Sequence, residues 1–401
     1  MSPPEASLSA PLRQPPARDL SVSAVVAGLV AVLVSFGGTA VLMVQAGHTA
    51  GLDAARIGSW LGSICLVLGL GGLVISVRSR MPVVLAWSTP GAALLVTALA
   101  GVPFDQAVGA FVLASLLTLA CGLFGWIDPI MRRVPAEIAS AMLAGVLLNF
   151  GLGIFTRIGE QPALVLAMCA AYLLGMRWAP RYAVLAVMAT GLGVALAAGQ
   201  LRLDGIDWQL TEFVWTTPAF SWSATVSVGI PIFVVALASQ NLPGLAILQA
   251  AGYRPAASRL VAATGVLGLV AAPFGAHSVT LGAITAAICT GPQAHPDPSR
   301  RYIAGVTYGL AYVLLSVVAG AVAVFFQALP AALIAALAGL ALLGAILGGL
   351  AGAMANPQRR EAALITLLAT ASGFSAWGIG SAFWGLAAGL LAHAVLEYRR
   401  R

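Results

Sequence analysis

Apolar residues run along this chain in long unbroken blocks, separated by short polar turns. Strands of a membrane barrel would alternate apolar and polar positions, and these blocks do not. They predict helices, each near the roughly 20 residues that a bilayer crossing needs. The expected spans cover 22–46, 57–77, 81–100, 104–126, 135–155, 162–176, 182–198, 222–248, 258–271, 271–289, 302–327, 330–354, 362–374 and 377–397. Two of them are interrupted: MPVVLAWSTPGAALL at 81–95 and AAPFGAHSVTLGAITAAI at 271–288. A membrane segment must satisfy its own backbone hydrogen bonds, so a Pro/Gly break at mid-depth is tolerated only beside protein or a watery cavity. Each break predicts an extended piece followed by a half helix. The first half helix is expected from about Thr89 to Ala100, the second from about His277 to Cys289. The two breaks are expected to face each other and form a substrate site.

Composition agrees with this pattern. The chain has 401 residues, 60% of them hydrophobic and 8% charged, where a soluble domain carries roughly 25% charged residues. The expected class is an all-α polytopic membrane protein with about 14 transmembrane helices. The 20 basic residues are all Arg and the net charge is +7. They stand mostly in pairs between apolar runs, which is a topology signal and not a nucleic-acid patch. One set of loops and tails holds 17 arginines and the other set 3. That asymmetry predicts both termini in the cytoplasm. Cys65, Cys121, Cys169 and Cys289 lie inside or at the edges of apolar runs, with no CxxC, so they read as packing residues. No disulfide, metal or cofactor is expected. Residues 1–20 are Pro- and Ser-rich and predict a disordered cytoplasmic tail.

The longest polar interval, 200–221, reads as an extracytoplasmic connector between halves at 21–199 and 222–401. VPAEIASAMLAG at 134–145 resembles LPAALIAALAG at 329–339, and the breaks recur at a similar offset. Seven spans per half is an odd number, so the second half enters from the opposite side. This predicts an inverted repeat, with paired interrupted segments marking the site.

Three motifs carry a resemblance to a known family: SQNLPGLAILQAAGY at 239–253, PFGAHSVTLGAI at 273–284 and WSTPGAALL at 87–95. They resemble the benzoate:proton symporter family (BenE type), and the resemblance runs from about residue 20 to about 397. That family is similar in architecture to nucleobase permeases and sulfate-permease-type anion transporters. The resemblance implies two inverted seven-span repeats, with spans 3 and 10 each a short strand plus a half helix. It also implies a core domain of spans 1–4 and 8–11 and a gate domain of spans 5–7 and 12–14. Nucleobase permeases carry acidic residues near the position of Gln240, and this chain does not.

The implied activity is proton-coupled import of benzoate or a related aromatic carboxylate across a bacterial inner membrane. The alternatives are another organic anion, a nucleobase, or an anion channel of the same shape. The implied partners are the substrate, a proton, the lipid bilayer and a possible second copy. Two facing half-helix N-termini would offer free N–H groups and about half a positive charge each, a place for a carboxylate. The candidate substrate residues are Ser88, Thr89, Gly91, Gln240, Asn241, Gly275, His277 and Ser278, with Ser35 and Thr39 as weaker wall residues. Ser88, Thr89 and Ser278 can cap the half helices, touch substrate, or both. Gln240 and Asn241 can hold substrate or cross-link spans. Asn149 reads as an interhelical hydrogen bond.

No Asp, Glu or Arg falls in the centre of a span, which leaves His277 as the central titratable group. It fits proton coupling, or it is a hydrogen-bonded His packing the break; a third possibility is that the proton rides on the substrate. A lone central His without a nearby acid or Cys argues against an intramembrane enzyme.

Overall fold

The computed structural model describes residues 19–126, 135–201, 210–377 and 379–398. Residues 1–18 of the expected tail and 202–209 of the expected connector lie outside the described residues. Helix α1 spans Val22–Thr49 and α2 Ala54–Ser79. Strand β1 (Leu85–Trp87) leads into α3 (Thr89–Ala98), followed by α4 (Phe104–Phe124), α5 (Ala136–Ile158), α6 (Pro162–Trp178) and α7 (Ala183–Ala197). The second half runs through α8 (Trp222–Ala250), α9 (Ala257–Ala271), strand β2 (Val279–Leu281) and α10 (Ile284–Thr290). It ends with α11 (Tyr302–Gln327), α12 (Ala331–Ala353), α13 (Arg360–Ala371) and α14 (Ser381–Tyr398). Among the described residues, 8 helices are long and apolar enough to cross a membrane. They are α1, α2, α4, α5, α8, α9, α11 and α12.

Local chemistry sets the helix ends. Asp53 starts α2 by accepting from the Arg56 N–H at 2.8 Å. Pro103, Pro135 and Pro330 precede α4, α5 and α12, where a fixed φ suits the entry and no donor is needed. Helices α2 and α11 pack along their lengths, as do α4 with α9 and α1 with α11. Elsewhere α5 packs on α12 and α13, α13 on α14, and α6 on α7. Small residues permit these contacts. A Cβ on Gly69 of α2 would stand 2.7 Å from the Gly309 carbonyl oxygen of α11, so the two backbones touch there.

The two broken stretches meet. Strands β1 and β2 pair antiparallel, with Leu85 opposite Leu281, Ala86 opposite Thr280 and Trp87 opposite Val279. The Thr280 hydroxyl donates to the Ala86 carbonyl at 2.8 Å, and the Gly282 N–H donates to the Val84 carbonyl at 2.8 Å. The interior backbone is therefore paired where it is not helical. These bonds also correct the expected second half helix. It starts at Ile284 and not at His277, because residues 279–282 are held extended against the first break.

Helix α8 holds a second departure from the sequence pattern. It widens into π turns at Thr225–Gly229 and at Leu237–Asn241. Pro231 and Pro243 follow each turn by two residues. Each proline lacks an N–H and crowds the carbonyl four residues back, at Ser227 and Ser239. A π turn is one way a helix absorbs that strain, and such turns occur often at functional sites.

Candidate functional site

The first break builds a capped helix end. Ser88 is the N-cap of α3, and its Oγ accepts from the Gly91 N–H at 3.0 Å. Pro90 sits in the first turn, where a missing N–H leaves nothing unsatisfied. The Thr89 hydroxyl pairs with the Thr39 hydroxyl of α1 at 2.6 Å, tying the two helices together. One turn earlier on α1, Ser35 accepts from Tyr312 at 2.8 Å and from Tyr308 at 3.4 Å, both on α11.

The second break builds a brace. Gly275 has φ +101, which L residues rarely adopt, and a Cβ there would stand 3.0 Å from the Trp60 Cβ. His277 follows, fully buried. The Trp60 indole N–H donates to His277 Nδ1 at 3.2 Å. An indole is a donor only, so Nδ1 accepts and the ring proton sits on Nε2. Nε2 then donates to the Ser88 carbonyl at 3.3 Å. Both ring nitrogens are engaged, and the histidine links α2 to the start of α3. Phe104 and Phe111 enclose Trp60, with ring centroids at 5.9 and 5.8 Å.

Ser278 does not cap the second half helix. Its hydroxyl is buried without a partner, and the N-cap of α10 is Ala283, which makes no side-chain bond. The strand pair separates Ser278 from the helix it was expected to cap. The other end of α10 is held by Arg301. Its guanidinium donates to the Thr290 carbonyl at 2.8 Å and to the His295 carbonyl at 2.7 Å. Nearby, outside the spans, the Ser299 hydroxyl and N–H hold the Asp297 carboxyl below its ordinary value.

In front of the two breaks lies a cavity of about 580 Å³, within the ~300–1,000 Å³ range of small-molecule sites. Pro90 and Ala283 form its back wall, so the starts of both half helices reach it. Ser239, Gln240 and Pro243 of α8 form one side. The opposite wall is small: Ala139 and Ser140 of α5, Ala345, Gly348 and Gly349 of α12. None of its lining residues is charged. Gln240 and Asn241 both belong to the second π turn of α8. Gln240 faces the cavity with an amide that has no partner among the described residues. Asn241, the next residue, is buried and accepts from the Leu281 N–H of β2 at 2.9 Å.

The expected site residues therefore divide. Gln240 lines the cavity, and Ser88, Thr89 and Gly91 surround Pro90 in the turn that reaches it. Asn241, Gly275, His277 and Ser278, with Ser35 and Thr39, do not line it. Sequence reading missed the small faces of α5 and α12, although part of that signal lay in the repeated VPAEIASAMLAG and LPAALIAALAG segments. It also missed Trp60, a lone indole inside an apolar run. Chemically the cavity offers amide and hydroxyl hydrogen bonds, two helix starts and apolar walls. That set suits a flat apolar molecule with one anionic group.

Comparison with known proteins points the same way. The profile of the family described as "Benzoate membrane transport protein" matches residues 18–395. The chain is 42% identical over 371 residues to the inner membrane protein YdcO of Escherichia coli (strain K12), covering 92% of this chain and 95% of that one. It is 39% identical over 379 residues to a benzoate membrane transport protein of Acinetobacter baylyi, covering 94% and 96%. Among solved structures, the transmembrane domain of the cyanobacterial bicarbonate transporter BicA is similar with a TM-score of 0.60 at 12% identity, over 92% of this chain and 96% of that one. SLC26A9 is similar with a TM-score of 0.62 at 11% identity, over 96% of this chain and 67% of that one. At such identities these two report the fold alone.

Proposed function

We infer the function from one premise: the chain belongs to the benzoate membrane transport protein family. It is a membrane transporter and not an enzyme. We propose that it imports benzoate or a related aromatic carboxylate together with a proton, across a bacterial inner membrane. The cavity between the half-helix starts, Gln240 and the small faces of α5 and α12 carries this reading. A carboxylate there would meet the Gln240 amide and the positive end of α3, and the ring would lie between Ala139, Ser140 and Gly349. Without such donors an anion at mid-membrane would be costly.

In this reading the fourteen helices are two inverted seven-span repeats, with both termini cytoplasmic. Helices α1–α4 and α8–α11 form a core that carries the site. Helices α5–α7 and α12–α14 form a gate, and movement of one against the other alternates access. The antiparallel pairing of β1 with β2 and the helix pairings described above support that division.

Uptake of labelled benzoate into proteoliposomes, with and without an inward proton gradient, tests the proposal. Gradient-driven accumulation that saturates with substrate is expected. Absence of transport, or accumulation indifferent to the gradient, would overturn it. Non-saturating electrical conduction would mark a channel, and a competition panel of organic anions and nucleobases ranks the substrates.

A further inference from the structure

The wall that α5 and α12 give to the Gln240 cavity holds two adjacent glycines, and they do different things. Gly349 is needed for packing. A Cβ there would stand 3.1 Å from the Ala144 Cβ and 3.1 Å from the Ser140 carbonyl oxygen, both on α5. Gly348 is not needed for packing. A Cβ there would meet nothing within 4 Å, and the residue lines the cavity. Glycine weakens the middle of a helix through its backbone freedom and its missing side chain. Gly348 therefore loosens α12 with no helix contact in return, and the space it leaves open belongs to the cavity.

One hydroxyl overlooks that space. Ser140 is the polar side chain that this wall contributes to the cavity. Its Oγ lies 2.7 Å from where a Cβ on Gly352 would stand. Gly352 is one turn beyond Gly348, so the two positions share a face of α12, about 5–6 Å apart. The Ser140 hydroxyl covers one turn of that face and leaves the next turn open. It has no hydrogen-bond partner among the described residues. Other hydroxyls inside the helices satisfy themselves on the carbonyl four residues back. Ser239, across the cavity, donates to the Val235 carbonyl at 2.6 Å, and Thr366 of α13 to the Ala362 carbonyl at 2.8 Å. Ser140 makes no such bond, and so keeps both a proton and lone pairs for a ligand.

We propose that Gly348 and Ser140 form a subsite for a hydroxyl group on the ring carbon opposite the carboxylate, so that the protein prefers 4-hydroxybenzoate to benzoates with an apolar group at that carbon. This inference rests on the aromatic-carboxylate reading proposed above. With the carboxylate at Gln240 and the start of α3, that ring carbon is the farthest from it and points to the α5 and α12 wall. A hydrogen there leaves the space over Gly348 unfilled. A hydroxyl enters the space and reaches Ser140 Oγ, donating to it or accepting from it, and neither hydroxyl is left unpaired. A methyl group of similar size enters the same space and leaves Ser140 without a partner. The cavity has the room: its volume of about 580 Å³ suits ligands larger than benzoate.

Displacement of labelled benzoate from the full-length protein in nanodiscs, near neutral pH, tests the subsite. Unlabelled benzoate, 4-hydroxybenzoate and 4-methylbenzoate are the competitors. In the parent, 4-hydroxybenzoate should bind about fivefold more tightly than 4-methylbenzoate, the size of one hydrogen bond. Ser140→Ala should abolish that preference and leave the benzoate affinity unchanged. Gly348→Val should fill the open space, weakening both substituted benzoates about tenfold and benzoate much less. Retained benzoate binding shows that each variant is folded, and thermal unfolding checks it independently. If the parent does not prefer 4-hydroxybenzoate, or if Ser140→Ala keeps the preference, the subsite is refuted and the transport reading stands. If Gly348→Val weakens all three competitors alike, or none of them, no substituent lies over Gly348 and the subsite is refuted. If the parent does not bind benzoate at all, the substrate reading fails and the subsite with it.

Discussion

The two broken stretches read as equivalents in sequence, yet they do different work in the fold. The first is a capped, proline-started helix whose opening turn reaches the cavity. The second spends its residues on a strand, a left-handed glycine and a histidine brace, and reaches the cavity only through Ala283. One break presents a helix end to the cavity; the other fixes that helix end in place. The difference follows from where the hydrogen bonds go. Ser88 satisfies its own helix, whereas residues 279–282 satisfy their partner strand.

Substitutions can break that division of labour, and the brace should show the largest effects. Gly275→Val forces a branched side chain into φ +101 against Trp60 and should destabilise the fold by about 3 kcal/mol. Thermal unfolding in detergent reads this as a clear fall in Tm; an unchanged Tm would remove the brace. Asn241→Leu strands the buried Leu281 N–H and should cost about 2 kcal/mol in the same measurement. Asn241→Asp keeps the acceptor, and a smaller loss of Tm than in Asn241→Leu, measured at acidic pH where the buried carboxyl is neutral, identifies that bond as the cause.

The paired serines give the sharpest contrast with the smallest perturbation. Ser88→Ala removes a helix cap, worth about 1 kcal/mol, and loosens the turn at Pro90. It should lower Tm modestly and raise the benzoate KM several-fold. Ser278→Ala removes a buried hydroxyl that has no partner, so stability should stay level or rise slightly. If both serines behave alike, the two breaks are equivalent after all and the comparison fails.

Much of the fold was legible because membrane helices announce themselves in long apolar runs, and a Pro or Gly inside one is conspicuous. The meeting of the two breaks was legible for the same reason. The start of α10 was not, because Val279, Thr280 and Leu281 are held by bonds to residues nearly two hundred positions away. Nor were the π turns of α8, since hydrophobic periodicity does not register one added residue. Gln240 stood out by its motif, but the motif alone did not say that it faces the cavity while Asn241, one step round the helix, faces β2. The wall formed by α5 and α12 was hidden by abundance: Ala139, Ser140, Gly348 and Gly349 resemble many other small residues in the chain. His277 was conspicuous as a lone central histidine, and its partner Trp60 gave no sign in the sequence.

The central claim is that the Gln240 cavity holds the carboxylate at the start of α3. A structure determined near neutral pH with 4-iodobenzoate, located by the anomalous signal of its iodine, tests it most directly. The account predicts the carboxylate within hydrogen-bond distance of the Gln240 amide and the first turn of α3, with the iodinated ring between α5 and α12. A ligand bound elsewhere, with that cavity left empty, would contradict it.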